Sequence, residues 1–335
     1  MKTLNHILVI IIFIGLNSCR DIIPFGYKYN QGSLPETPVN LSDFNTEYDD
    51  YNSTAPTLGD LIPFCFSTNR VSQGGNFDII YQPMNVSFDK NTGELSVTNK
   101  YGHWQSFAGD LNVISTGLKK IITTGNEFGP NLIPVHDVTG VKFVLLYSTD
   151  YSGNAQINFI SNRTENGFSN PQEVSFLNSA YDDMYPTFNS EKNQIYFCSN
   201  RENDNFDIYH VDVNPQTDID ELLTNNQTCE VYKDSIFSTN YDDKCPYIFG
   251  NTMVFVSNRP GGYGGYDIYY STYNNGHWSE PLNMGSEINT PYDEYRPILF
   301  DEKVSETQTM MVFSSNRPGG KGGFDLYFVG IDNNL

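Results

Sequence analysis

IYFCSNRENDNFDIYHVD (Ile195–Asp212), MVFVSNRPGGYGGYDIYYS (Met253–Ser271) and MVFSSNRPGGKGGFDLYFV (Met311–Val329) are three copies of one unit. Their asparagines fall at Asn200, Asn258 and Asn316, a period of 58 residues. A fourth copy, FCFSTNRVSQGGNFDIIYQ, begins at Phe64, and a degenerate fifth, FVLLYSTDYSGNAQINFIS, at Phe143. Each regular copy joins two apolar runs through a Gly- or Asn-rich turn, the pattern of a β-hairpin. A repeat of this length cannot bury its apolar faces alone and has to stack on its neighbours.

Upstream of every hairpin lies an acidic–proline element: YDDMYPTF from Tyr181, YDDKCPYIF from Tyr241 and YDEYRPILF from Tyr292. Weaker forms are NEFGPNLI from Asn126 and YDDYNSTAPTL from Tyr48. Before these runs a connector, clearest as HWSEPLNMGSEINT from His277, with counterparts from Phe168 and Glu36. The unit is therefore a four-stranded sheet. Sheets packed radially bury both faces and leave only short edges. The reading is an all-β, five-bladed β-propeller. The long spacing between Asn69 and Asp150 leaves six blades as an alternative count, with the extra blade between Gln82 and Thr124. LNVISTGLKKIITTGNEFGP already supplies the connector expected there, which favours five. The chain opens on a connector (Glu36 to Thr46) and stops after a third strand (Phe324 to Val329). Pro38 to Asn45 should therefore pair as the outer strand of the last blade and close the ring without a free edge.

Pro-x-Phe, Ile-x-Phe-x-Ser-Asn-Arg and Phe-Asp-Ile-Tyr together resemble the WD40-like repeat of TolB-type propellers. The Ser-Asn-Arg-Pro-Gly-Gly-x-Gly-Gly-Phe-Asp-Leu-Tyr form is similar to the propeller beside OmpA-like domains of Gram-negative envelope proteins. The resemblance spans Glu36 to Gly330.

The N-terminus reads as an export signal. Lys2 and His6 precede the apolar run Ile7 to Ile14, too short for a membrane span of about 20 residues. The run ends at Leu16-Asn17-Ser18-Cys19, which resembles a lipobox and implies acylation of Cys19. The expected organisation is a signal peptide over 1–18, a lipidated tether over 19–35 and the propeller over 36–335. The expected location is the outer membrane, by a lipid anchor, on a side the sequence leaves open.

Charge and composition narrow the partners. The chain holds 40 Asp+Glu against 19 Lys+Arg, a net charge of −21. Phosphate backbones need a basic face, so nucleic acid is excluded. An envelope protein or a glycan remains. The 23 Tyr and 23 Phe fit strands and aromatic surfaces. Cys229 and Cys245 lie in connecting segments and could form a disulfide, while Cys65 and Cys198 sit inside apolar strands.

Two sets of charged residues recur. The hairpins carry Arg70 with Asp78, Arg201 with Asp207, Arg259 with Asp267, and Arg317 with Asp325. The degenerate copy has Tyr151 and Gln156 instead and loses both partners together, so each pair is expected to staple its own hairpin. The second set is the rim acids Asp50, Glu127, Asp183, Asp243 and Glu294. They are expected to cap strand N–H groups, with a Ca²⁺ role as the lesser reading. Tyr263 and Lys321 stand between glycines and are the binding candidates.

Enzyme chemistry finds little support in the residues. His103, His136, His210 and His277 join no cluster of metal spacing, and no Gly-x-Ser-x-Gly elbow occurs. The expected function is a non-enzymatic, lipid-anchored binding or scaffold module. The alternative is a five-bladed glycoside hydrolase or lyase with carboxylates in a central funnel.

Overall fold

The structure is a computed structural model, and it describes residues 32–333 except 59–61, 139, 164–166, 203 and 303. The signal peptide, Cys19 and most of the tether lie outside the described residues. Among the described residues, twenty-one strands, β1 to β21, make five sheets around one axis. The closing strand β1 is Val39–Asn40. The first blade is β2 (Asp50–Thr54), β3 (Ile62–Thr68), β4 (Asp78–Asp89) and β5 (Glu94–Thr98). The second is β6 (Glu127–Asp137), β7 (Gly140–Thr149), β8 (Gln156–Ser161) and β9 (Gln172–Glu173). The third is β10 (Asp183–Phe188), β11 (Gln194–Ser199), β12 (Asp207–Asp212) and β13 (Tyr232–Lys233). The fourth is β14 (Asp243–Phe249), β15 (Thr252–Ser257) and β16 (Asp267–Asn274), with the split outer pair β17 (His277–Trp278) and β18 (Leu282–Asn283). The fifth is β19 (Glu294–Phe300), β20 (Gln308–Ser315) and β21 (Asp325–Asp332), with β1 on its edge.

The second strand of each blade is a continuous apolar run because it is covered on both faces. Phe64, Phe66, Leu145, Leu146, Phe197, Phe255 and Phe313 are fully buried between blades. The extra length between the first two blades is not a sixth sheet. It extends β4, adds β5, and then forms a 3₁₀ turn (Gly102–Phe107) and the helix α1 (Ala108–Leu118). The expected connector LNVISTGL is therefore helical. Its Leu111, Ile114 and Leu118 pack on Cys65, Ile79 and Leu145 and plug the gap between blades one and two. Among the described residues no helix is long and apolar enough to cross a membrane.

Every inner strand carries the same irregularity. The register slips one or two residues after the rim acid in all five blades. At that point Asn52, Gly129, Tyr185, Cys245 and Arg296 adopt φ of 54°, 56°, 58°, 57° and 47°. Such a bulge re-aims one side chain and bends the strand. Non-glycine residues in this region are strained, by about 1–3 kcal/mol each.

The ring closes as the repeat phase required. Val39 and Asn40 pair with Phe328 and Tyr327. Asn45 then clamps the neighbouring strand through both halves of its amide: Leu326 N–H donates to Oδ1 at 2.8 Å, and Nδ2 donates to the Leu326 carbonyl at 2.9 Å. Asn178 and Asn289 do the same to Ile157 and Ile268 within blades two and four. Closure thus repeats an ordinary within-blade contact between the two ends of the chain. Asn45→Ala leaves the buried N–H of Leu326 without its acceptor and takes one donor from the Leu326 carbonyl, which keeps the Leu41 N–H. It should lower global stability by about 2 kcal/mol, read as one cooperative shift in Tm. A local loss of protection confined to residues 36–46, with Tm unchanged, would show that the seam is not part of the cooperative unit.

Candidate functional site

The hairpin turns and the loops before the inner strands meet on one face. Four arginines organise it, but not with the expected partners. Arg70 Nη2 pairs with Asp50 at 2.5 Å, Arg201 with Asp183 at 2.5 Å, Arg259 with Asp243 at 2.6 Å and Arg317 with Glu294 at 3.0 Å. Each of these acids is fully buried and also accepts from a Thr or Ser four residues upstream, as Thr46 N and Oγ1 do at 2.6 and 2.9 Å from Asp50. The Arg Nη2 groups donate in addition to the carbonyls of Phe44, Leu177, Phe237 and Ile288.

The third-strand acids do other work. Asp267 accepts from the N–H groups of Tyr263 and Gly264, and Asp325 from those of Lys321 and Gly322, so both cap their Gly-rich turns. Asp207 takes Lys233 Nζ at 2.5 Å. No hydrogen bond to the Asp78 carboxylate is found among the described residues, and burial raises its pKa. The hairpin-staple reading of Arg70–Asp78, Arg201–Asp207, Arg259–Asp267 and Arg317–Asp325 is thus corrected. Arg and Asp vanish together from the degenerate blade because the turn they share is rebuilt, not because they touch. Gln156 there donates to the carbonyls of Ala155 and Tyr181. The rim acids Asp50, Asp183, Asp243 and Glu294 are ion-pair partners rather than plain caps.

Glu127 is the exception. Its blade has Tyr151, 64% exposed, where the others place Arg. Glu127 keeps the Thr123 and Thr149 hydroxyls, at 2.6 and 3.3 Å, but its Oε2 has no partner among the described residues. Burial without a cation pushes its carboxyl up to about 7, and the nearby charges of Asp78 and Asp150 add to the rise. Asp150, half-buried, accepts from the Asn126 backbone N–H and side-chain amide at 2.6 Å each.

Inside this polar ring is an aromatic floor. The residue after each rim acid is Tyr51, Phe128, Met184, Lys244 or Tyr295, and the residue before each third strand is Phe77, Ala155, Phe206, Tyr266 or Phe324. All of these except Ala155 are half-buried. Ring centroids lie 4.7 Å apart for Tyr51–Phe77, 5.7 Å for Tyr51–Phe324, 5.7 Å for Phe77–Phe128 and 5.2 Å for Tyr266–Tyr295. Lys244 Nζ sits 3.9 Å over Phe206. Exposed tyrosines at 151, 181, 241, 263 and 292 surround the floor.

Beneath the floor the axis is closed. Asn52, Tyr185, Cys245 and Arg296, turned inward by the bulges, fill it, and a Cβ at Gly129 would strike the Tyr185 ring. Asn52 Nδ2 reaches Tyr185 Oη at 3.4 Å, from the first blade to the third. No carboxylate stands at these five axial positions, so the site is a shallow platform with its acids on the rim.

The remaining expectations fall as follows. Tyr263 is 49% exposed on the platform edge. Lys321 is also exposed, but its Nζ donates to the carbonyls of Ser42 and Asn45 and ties down the closing segment. Cys229 and Cys245 are not bonded: both are free thiols. Cys245 lies on an inner strand at the axis and Cys229 on an outer connector. Among the described residues no three His, Cys, Asp or Glu side chains gather as a metal site. The axial plug and the floor were missed from sequence; the shared signal was the second residue after each rim acid for the plug and the first for the floor.

Fold and site define a five-bladed β-propeller with one aromatic, acid-rimmed face. No family model and no curated protein matches the sequence. Among solved structures the chain is similar to a thermostable family-43 glycoside hydrolase, at TM-score 0.53 and 10% identity over 89% of this chain and 95% of that one. It is also similar to the α-L-arabinofuranosidase of Podospora anserina in complex with cellotriose, at TM-score 0.50 and 11% identity over 91% and 97%. These likenesses establish the five-bladed fold. They overturn the kinship inferred with TolB-type propellers, since the neighbours are glycoside hydrolases. The arginine of the Asn-Arg-Pro-Gly-Gly hairpin forms an ion pair that holds the blade turn. The non-enzymatic scaffold reading is corrected on the same finding.

The raised Glu127 makes a stability prediction. Unfolded, it releases its proton near 4.3; folded, near 7. Its stabilising contribution is complete below the lower value and is lost as pH rises through about 7. Glu127→Gln has nothing to lose. Its Tm should match the wild type near pH 4 and exceed it increasingly between about pH 5 and 8. A Tm difference that does not change with pH would mean that Glu127 is compensated in the fold.

Proposed function

We propose that the protein binds carbohydrate on the aromatic floor and hydrolyses it there as a glycoside hydrolase. The observation that carries this reading is the continuous half-exposed floor beside one carboxyl held protonated to about pH 7. Tyr and Phe faces suit the apolar faces of sugar rings, and Tyr hydroxyls meet their hydroxyl groups. Glycoside hydrolysis needs one protonated and one ionised carboxyl. Glu127 is assigned the first role and Asp150, across Asn126 in the same blade, the second. Thr123, half exposed, separates Glu127 from solvent, and a rotation of that side chain would uncover the acid. The known fold neighbours include enzymes of this class, among them one bound to cellotriose. The closed axis makes the platform shallow, which suits chain ends or side branches of neutral glycans rather than threaded chains.

Purified protein should release reducing sugar from a panel of neutral xylans, arabinans and their aryl glycosides, with the rate falling above about pH 7. Glu127→Gln should lower kcat by about 100-fold or more with the fold intact. Absence of turnover across the panel, or full activity in the Gln variant, would refute the assignment.

We further propose, from the lipobox-like Leu16-Asn17-Ser18-Cys19, that this activity is held at the outer membrane by a lipid on Cys19. Cys19→Ala should move the folded protein from the membrane fraction to the soluble one, because acyl burial supplies the attachment. A variant that still sediments with membranes would show another attachment. Protease treatment of intact cells then tells which side of the membrane the propeller faces.

A further inference from the structure

The axis below the floor holds a cation that has no counter-charge among the described residues. Arg296 is 0% exposed and adopts a strained φ of 47°. Its side chain leaves the fifth blade and crosses the axis. Nη1 donates to the Pro246 carbonyl of the fourth blade at 3.2 Å, and Nη2 to the Pro130 carbonyl of the second at 3.4 Å. The guanidinium lies 5.4 Å from the Tyr185 ring centroid and 5.8 Å from that of Tyr247. Its Nε has no partner, and among the described residues no carboxylate forms an ion pair with it. The other five arginines among the described residues, Arg70, Arg163, Arg201, Arg259 and Arg317, all have carboxylates.

A guanidinium has five N–H donors in a planar fork. Two are spent on carbonyls at the long end of hydrogen-bond range, which leaves the Nε edge with an unused pair. A buried cation left without a partner is strongly destabilising. The neighbouring protein groups do not supply the missing charge. Burial pushes the Cys245 thiol up to about 12 despite Arg296 beside it, raises Tyr247 to about 12, and raises Tyr185 well above its ordinary value. All three are neutral at physiological pH.

We infer that the propeller axis is an anion site in which Arg296, through its free Nε edge, binds a small monovalent anion of the halide class. The Tyr185 ring above and the Tyr247 ring below would wall it from solvent. The anion would neutralise the guanidinium that holds the second, fourth and fifth blades together, so it is a structural ligand and does not depend on the glycosidase reading.

The test uses the wild-type chain first. Crystals grown in bromide should show an anomalous peak against the Nε edge of Arg296. Only water at that edge, in both bromide and chloride crystals, would overturn the proposal. In solution, chloride added at constant ionic strength against gluconate should raise Tm in a saturable way. Arg296→Met should lose that response. Equal chloride responses in the two proteins would also overturn it, and if the Met variant does not fold, the bromide crystal decides alone.

Discussion

One backbone hydrogen bond, made five times, carries the ring. The N–H of each rim acid donates to the carbonyl of the residue ahead of the preceding blade's third strand: Asp50 to Phe324, Glu127 to Phe77, Asp183 to Ala155, Asp243 to Phe206 and Glu294 to Tyr266, each at 2.8 Å. The first of these spans the two ends of the chain. The side chain of the same acid is then held by a hydroxyl four residues upstream and, in four blades, by an arginine. Removing water from a carboxylate is tolerable only when donors replace it. The acid therefore sets the loop, the hairpin and the neighbouring blade in one position. The close turns follow from it. A Cβ at Gly264 would run into the carbonyls of Thr290 and Tyr292, and one at Gly322 into that of Tyr48.

That arrangement also determines where the molecule departs from itself. With the acids of four blades paired to arginine, the remaining acid, Glu127, stands out because the hairpin that should supply its arginine is rebuilt around Tyr151. The consequence is electrostatic. The same carboxyl, in the same backbone setting, keeps its two hydroxyls, loses the guanidinium and holds its proton to about pH 7. Raised carboxyl pKa values concentrate at functional sites. Here the raised acid lies beside the floor formed by Tyr51, Phe77 and Phe128. The repeat builds the platform, and its local failure makes one sector of it chemically different.

The misassigned pairs show how far co-occurrence reaches. Arg70 and Asp78 are present or absent together across blades, as contacts would be, yet Arg70 turns inward to Asp50 and Asp78 has no arginine. Both residues depend on one turn geometry, so their joint loss reports the turn. The bulges behave in the opposite way. The residue two positions after each rim acid varies from Gly129 to Arg296 and shows no pattern as a side chain. All five nonetheless share a left-handed backbone that points them at the axis.

The period, the four-strand unit and the phase of the two chain ends are properties of a linear pattern, and the sequence alone determined them; it favoured five blades over six, and the structure decided the count. Apolar alternation and turn residues act locally, and a repeat reports its own stacking. Which arginine meets which acid, the loss of compensation at Glu127, the aromatic floor and the closed axis were decided only by tertiary structure. The floor and the axis join residues from different blades, and each arginine meets an acid 16 to 23 residues away on the neighbouring strand of its own blade, separations that no local pattern encodes. Asn52 meets Tyr185, and Arg296 reaches Pro130, because the ring brings them to one axis; nothing nearer in the chain requires it.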